Sequence, residues 1–351
     1  MPAQPYIVAI GTAVPSHDIH DSFVAWARAR LPEREARLFD RMAARAGIAH
    51  RWSVLPATDG SPVGPEGFYA REPHPGTAAR MALYASAAPA LALEAIARLA
   101  EQVSLDDVTH LVVASCTGFV APGIDQIIAR ELGLSTSVER VLIGFMGCYA
   151  AVAALRTARH IVRSEPQARV LVVSVELSTL HLQADRTLEP LLAMLQFGDG
   201  AAAALICADA RGLAIGRPFS ATLPAAAALI RWDITDRGFA MHLSGEVPGR
   251  IAAALRDPAL VATLTGGCPV DRWAVHAGGR SILDAVEQAL ALPHDALADS
   301  RAVLAENGNM SSATLMFVLA RVLAGAPVAH GIALAFGPGL AAEGLSFASA
   351  A

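Results

Sequence analysis

The sequence predicts an internally duplicated α/β fold with buried strands, on three observations. Short apolar runs of strand length, 110–114, 170–175 and 201–207, alternate with helical stretches. These runs are apolar throughout, the pattern of strands covered on both faces. The second half of the chain repeats the rhythm more loosely, and the halves meet near residues 208–216.

Taken in order, residues 6–10 read as a strand. Residues 21–46 read as two helical stretches split at Leu31-Pro32. Residues 54–75 are rich in Pro and Gly and read as loop. A long amphipathic helix is expected over 77–102, with helices over 124–132 and 148–162 between the strands. In the second half, strand 272–275 precedes a helix over 281–290. A helix over 309–323 follows, and strand 331–336 ends in Gly337-Pro338-Gly339. The expected division is an N-terminal half, 1–210, and a C-terminal half, 211–351.

With 351 residues, 54% of them hydrophobic, the chain can bury one large core or two fused ones. Mean hydropathy is +0.43, which raises the question of a membrane. Arg, Asp, Gly and Pro interrupt the apolar runs, and 148–162 carries Arg156, Arg159 and His160. A span needs roughly 20 nearly uncharged residues, so none is expected. Residues 1–10 show neither a basic segment nor a long apolar one, so no secretory signal is expected. The net charge is −5, with no basic block, which argues against a nucleic-acid partner. All 27 basic residues are Arg. A lysine Schiff base, a pyridoxal-phosphate anchor and a phosphate-loop lysine are thereby excluded. An anionic ligand must be held by Arg, His, helix N-termini or backbone N–H groups.

The four cysteines are Cys116, Cys148, Cys207 and Cys268. None forms a C-x-x-C pair and none has a His at zinc-ligand spacing, so no metal is expected. Free thiols in a reducing cytoplasm are the better reading. Cys207 and Cys268 read as structural. Cys148 follows an apolar strand and Gly147 and opens an apolar helix. A helix N-terminus favours thiolate, although a cysteine is more often a small buried hydrophobe. His276 closes a buried strand ahead of Gly278-Gly279, where α/β active sites gather; taken alone, a turn histidine satisfied by backbone explains it better. Asn309, before another apolar helix, could equally be an N-cap. Together they are more telling. A Cys, a His roughly 130 residues later and an Asn roughly 30 further on is an order used by thiol acyl-transfer enzymes. The letters around Cys148 lack a papain-type signature.

Around these residues the chain resembles chalcone-synthase-like type III polyketide synthases. Val275-His276-Ala277-Gly278-Gly279 with Ile282-Leu283 is similar to their His-Pro-Gly-Gly…Ile-Leu motif. Gly308-Asn309-Met310-Ser311-Ser312 matches their Gly-Asn-Met-Ser-Ser string, and Phe336-Gly337-Pro338-Gly339 most of their C-terminal loop. Phe197-Gly198-Asp199-Gly200 matches the segment bearing their gatekeeper phenylalanine. Cys116-Thr117-Gly118-Phe119 with Pro122-Gly123 matches the stretch ahead of the nucleophile. The likeness runs from about Arg41 to the C-terminus. Ala277 stands where plant enzymes have Pro, Ala335 for the loop's first Gly, Met241 for a second gating Phe, Ala121 for a bulky Met, and Leu38 for a CoA-binding Lys.

The resemblance implies a thiolase-like, five-layer αβαβα fold and decarboxylative condensation of malonyl-CoA onto a starter acyl group. It implies Cys148 as nucleophile, His276 as its imidazolium partner, and His276 with Asn309 as donors to the malonyl enolate. Phe197, Met241, Cys116, Ala121, His181, Gly337 and Pro338 become candidate pocket residues, and Arg41 and Arg45 candidate CoA-binding residues. It further implies a homodimer, no cofactor beyond CoA thioesters, and a cis Ala121–Pro122 bond at the dimer interface near the partner's cavity. Two alternatives remain: a β-ketoacyl carrier-protein synthase of the initiating type, and a non-catalytic thiolase-fold subunit. The Gly-Asn-Met-Ser-Ser string opposes the first and the presence of Cys148 the second.

Overall fold

The computed structural model describes residues 3–55, 61–224 and 226–351. Met1, Pro2 and residues 56–60 of the expected 54–75 loop lie outside the described residues. The first half runs β1 (Tyr6–Ala13), β2 (His17–Asp18), α1 (His20–Ala29), α2 (Glu33–Arg45) and β3 (Trp52–Ser53). It continues through α3 (Thr77–Ala100), β4 (His110–Ser115), α4 (Ile124–Glu131), β5 (Glu139–Gly144) and α5 (Ala150–Ser164). It ends with β6 (Val170–Leu177), α6 (Leu188–Met194) and β7 (Asp199–Cys207). The second half opens with β8 (Leu213–Thr222), a hairpin of β9 (Ile230–Thr235) and β10 (Gly238–Leu243), then α7 (Val247–Leu255) and α8 (Pro258–Thr265). β11 (Arg272–Val275), α9 (Arg280–Ala289), α10 (Ala298–Asn307), α11 (Ser312–Ala324), β12 (Gly331–Gly337) and β13 (Ala341–Ser349) complete it.

The strands join in the order β11-β12-β13-β8-β1-β7-β6-β4-β5. The junction of the halves is slight, since β1 meets β8 only at Tyr6↔Ala214 and Ile7↔Leu213. Reading outward from that seam, each half repeats one pattern. β1–β7 and β7–β6 are antiparallel and β6–β4 parallel, while β8–β13 and β13–β12 are antiparallel and β12–β11 parallel. The duplication expected from the sequence rhythm is thus present in strand order and sense.

Alternate side chains of each strand enter two cores. Leu111 and Val113 of β4 join the outer core with α3, whereas Val112 and Ala114 face inward with α5 and α11. In β12, Ile332 and Leu334 go outward and Ala333 and Ala335 inward. α5 packs on β4 and β6 from one side and on β13 from the other, and α11 likewise bridges β1, β7 and β11. Helices outside the two half-sheets complete five layers: α3 over the first, and α7, α8 and α9 over the second. The inner layer explains the alanine-rich composition. A helix covered on both sides must be apolar nearly all round, and Ala lets it approach both sheets closely.

Several boundaries differ from expectation. The helix expected from Cys148 begins at Ala150, after a 3₁₀ turn at Gly147–Tyr149, and the one expected from Asn309 begins at Ser312. α3 is long and apolar enough to cross a membrane, contrary to the expectation that every apolar run is too interrupted; here it lies against β1, β6 and β7 as a core helix. Cys268 is exposed and so is not a core residue. β8 and β13 escaped the sequence reading because Gly, Pro and Ser interrupt their apolar pattern; their pairing with each other forms them. The Ala121–Pro122 bond is cis.

Candidate active site

The duplication brings equivalent positions of the halves to one locus. Cys116 follows β4 and His276 follows β11, while Cys148 precedes α5 and Asn309 precedes α11. These are strand and helix ends that point the same way in related half-folds.

Cys148 lies within the 3₁₀ turn Gly147–Tyr149. Gly147 has φ 74°, and a Cβ there would sit 2.4 Å from the Pro338 ring. From the other side, a Cβ on Gly337 would fall 2.6 Å from the Tyr149 ring and 3.4 Å from the Cys148 nitrogen. The Gly337-Pro338-Gly339 loop is therefore clamped onto the cysteine turn, and both contact faces must be glycine. The Gly147 N–H donates to the Cys116 sulfur at 2.9 Å.

His276 is held by its backbone N–H to Leu334 O at 2.8 Å, and both its ring nitrogens are buried without a partner. Gly278 lies against the ring, a Cβ there falling 3.4 Å from Nε2. The Gly278 carbonyl accepts a bond from Asn309 Nδ2 at 3.2 Å, and Asn309 Oδ1 accepts the Ser311 N–H at 2.8 Å. Asn309 also exchanges backbone bonds with the Phe197 segment, to Gln196 O and from Gly198 N. The side chains of Ser311 and Asn309 in turn lie within hydrogen-bonding reach of the Cys148 thiol. Cysteine, histidine and asparagine thus share one neighbourhood, linked through Gly278 and Ser311. Ser311 itself holds a left-handed φ of 48°, uncommon for a non-glycine residue.

The electrostatics differ from the expected thiolate–imidazolium pair. Burial pushes the Cys148 thiol up to about 12, with Ser311 and Asn309 pulling back and Glu176 pushing further. Burial alone takes His276 down to about 3. No hydrogen bond joins the two among the described residues, and each is neutral at rest. The reason is desolvation, which outweighs the helix dipole in a site walled by apolar side chains. Opposite charges formed together by proton transfer would stabilise each other in the same low dielectric.

A largely apolar cavity adjoins the thiol, lined among others by Cys116, Cys148, Phe197, Trp232, Met241 and Pro338. A second shares Ser178, Phe197, Trp232 and Met241 with it and reaches His181, Arg51 and Tyr69. Of the expected pocket residues, Phe197, Met241, Cys116 and Pro338 line the cavity at the thiol, and Gly337 backs the turn. His181 lines the second cavity, but its nitrogens are both engaged, with Thr117 O at 2.7 Å and the Phe239 N–H at 3.0 Å, and its ring stacks on Phe239. Ala121 is exposed and lies outside both cavities; within one chain it is not a pocket residue, because the segment after Phe119 turns out to the surface.

On the far side of Gly278 an open cleft runs past Gly279, Gln196 and Ser281 to Arg45 and Arg280. Arg280 Nη1 donates to the Arg45 carbonyl at 3.2 Å. Arg45 lines this cleft, while Arg41 is exposed on α2 outside it. Arg280 was missed, although an Arg at a helix start just after two glycines is a legible anion-site signal. Glu176 was missed too. It is wholly buried behind the site, accepting from Ser312 Oγ at 2.5 Å, Thr117 Oγ1 at 3.0 Å and the Cys116 N–H at 3.0 Å, and burial raises it to about 7. A lone carboxylate in the apolar run 170–177 was its signal.

The five-layer fold and the Cys–His–Asn neighbourhood define a thiolase-like condensing-enzyme scaffold. Two family models cover nearly the whole chain: the chalcone and stilbene synthase N-terminal domain over residues 3–210 and the C-terminal domain over 217–351. The chain belongs to the chalcone and stilbene synthase family. It is 35% identical over 251 residues to the alpha-pyrone synthesis polyketide synthase-like Pks18 of Mycobacterium tuberculosis, an alignment covering 68% of this chain and 64% of that protein. It is 35% identical over 297 residues to bisdemethoxycurcumin synthase of Oryza sativa subsp. japonica, covering 77% and 73%. Among solved structures, PKS-I from the brown alga Ectocarpus siliculosus superposes with a TM-score of 0.89 at 29% identity, over 99% of both chains.

Proposed function

We propose that the protein is a type III polyketide synthase that loads a starter acyl group from CoA onto Cys148 and extends it with malonyl-CoA. The observation that carries this reading is the position of the His276–Gly278–Asn309 group, between an open cleft bearing Arg45 and Arg280 and an apolar cavity at the Cys148 thiol.

Cys148 attacks the starter thioester as its proton passes to His276, and CoA leaves. Malonyl-CoA then binds with its thioester oxygen toward His276 and Asn309. As carbon dioxide departs, these two hold the enolate oxygen. The enolate carbon attacks the acyl–Cys148 carbonyl, the thiolate leaves, and the chain grows by two carbons on CoA. The unpartnered nitrogens of His276 support this role, since a buried donor without an acceptor is costly unless a ligand supplies one. Phe197 keeps water from the enolate. Arg45 and Arg280, with Arg41 nearby, bind CoA phosphates. No cofactor beyond the CoA thioesters is required.

The working unit in this proposal is a homodimer in the cytoplasm, each chain divided into halves 1–210 and 211–351. Phe119, Val141 and Leu142 are large apolar side chains left exposed around the Ala121 segment, which supports an interface there facing the partner's cavity. The product is a pyrone, resorcinol, naphthalene or related polyketide, and likeness to the alpha-pyrone relative makes a pyrone the first to seek. Incubation with malonyl-CoA and short, long and aromatic acyl-CoAs, with mass detection, tests the reading. Starter-derived products longer by two-carbon units are expected, and their absence with every starter would refute it.

A further inference from the structure

The second cavity contains polar atoms that the reaction at Cys148 does not use. Arg51 lines it and is 1% exposed. Its Nη1 donates to Met194 O and Phe197 O, and its Nε to His20 Nδ1, but Nη2 is buried with no partner. Two other residues of the same lining, Ser178 and Trp232, also carry buried orphans, Oγ and Nε1. Three polar side-chain atoms without partners around one cavity are unusual, because buried donors are almost always satisfied.

The charge is unbalanced as well. No ion pair among the described residues includes Arg51. The carboxylates acting on it, Asp18 and Asp199, are bonded elsewhere: Asp18 to His50 and backbone N–H groups, Asp199 to Thr179 and the Val54 N–H. Asp185 also lines the cavity, but among the described residues no ion pair joins it to the guanidinium. Arg80, likewise buried and outside any ion pair, stands over the ring of Tyr69, another lining residue, 5.2 Å from its centroid. The rest of the wall is largely apolar, with Phe23, Val63 and Met194. A cavity that is greasy along its sides, with a buried unpaired cation, fits an aliphatic chain ending in an anion.

We propose that this cavity is a subsite for the far end of the acyl group, and that it selects chains ending in a carboxylate. This rests on the reading that Cys148 carries that group. The continuity is structural: Ser178, Phe197, Trp232 and Met241 wall both this cavity and the one at the thiol, so a chain anchored on Cys148 passes Trp232 to reach Arg51. The carboxylate accepts from Arg51 Nη2 and Trp232 Nε1, the geometry of charge-assisted hydrogen bonding.

The test measures binding apart from turnover. In a Cys148→Ala background, calorimetric titration compares adipyl- and suberyl-CoA with hexanoyl- and octanoyl-CoA. The carboxylate-ended thioesters should bind on the order of 10-fold more tightly at equal length, a difference typical of charged hydrogen bonds. Adding Arg51→Gln should abolish the preference. Because Arg51 also holds the Met194 and Phe197 carbonyls, Trp232→Phe provides the check: the indole N–H bonds to nothing in the protein, and its loss should reduce the preference several-fold. Equal or tighter binding of the methyl-ended thioesters, or a preference that survives both Arg51→Gln and Trp232→Phe, overturns the subsite. Extension assays on the unmutated protein report separately on the synthase reading. A carboxylate preference in binding with no extension of any starter would sink that reading and leave the subsite standing.

Discussion

Replacing Asn309 by Ala separates loading from decarboxylation. The amide makes two bonds, Nδ2 to Gly278 O at 3.2 Å and Oδ1 from the Ser311 N–H at 2.8 Å. The first is long for an N–H···O bond, so the donor can turn toward a thioester oxygen at small cost. Truncation strands one buried acceptor and one buried donor. Each unsatisfied group costs about 1–3 kcal/mol, so a measurable fall in the denaturation midpoint is expected from a chain that still folds. The kinetic effect should be larger and confined to one step. Loss of an oxyanion donor costs about 10²–10³ in rate, or roughly 3–4 kcal/mol. Carbon dioxide release from malonyl-CoA should therefore fall about 10²-fold or more. Transfer of a starter to Cys148, followed as a mass increase of the intact protein, should persist. Asn309→Asp offers a control, since it retains the acceptor for Ser311 but puts a negative charge beside the thiol; it should slow loading as well, by raising the thiol further. Unchanged carbon dioxide release by Asn309→Ala would refute the enolate role, and equal loss of both steps would point to collapse of the turn at Ser311.

Cys148→Ala should abolish product while leaving the circular dichroism and melting profile close to the parent's, because the residue is half-buried in a turn held by Gly147, Gly337 and Pro338; continued chain extension would remove it as nucleophile. Gly147→Ala places a Cβ 2.4 Å from Pro338 at a φ of 74°, and the displaced thiol should lower turnover by about 10²-fold; activity near the parent's would contradict the clamp. Glu176 is raised to about 7 from an ordinary 4.5. A carboxyl raised on folding stabilises fully below the unfolded value and loses that contribution as the pH climbs through the folded one. The parent should thus lose on the order of 3 kcal/mol between pH 4.5 and 7 from this group, and Glu176→Gln should flatten that part of the urea-stability profile. Identical pH profiles for the two proteins would rule this out.

The sequence by itself determined the class of fold and the residues of the site. Apolar runs such as 110–114 and 170–175, of strand length and rich in Val, read as strands covered on both faces, and the order Cys148, His276, Asn309 with their flanking glycines is local information. Lys-based chemistry was excluded by composition alone. Only the tertiary structure decided which residues meet and in what state. The protonation of Cys148 and His276 is set chiefly by desolvation, a non-local quantity, and it opposes the expectation drawn from a helix N-terminus. Arg45 and Arg41 look alike on α2, and the fold set one beside Arg280 in the cleft, its carbonyl accepting from Arg280 Nη1, and left the other outside. Ala121 turned out to the surface for the same kind of reason. Arg51, Ser178 and Trp232 stand far apart in the chain, and their orphaned polar atoms become a group only when the residue before β3, β9 and the segment after β6 close around one cavity.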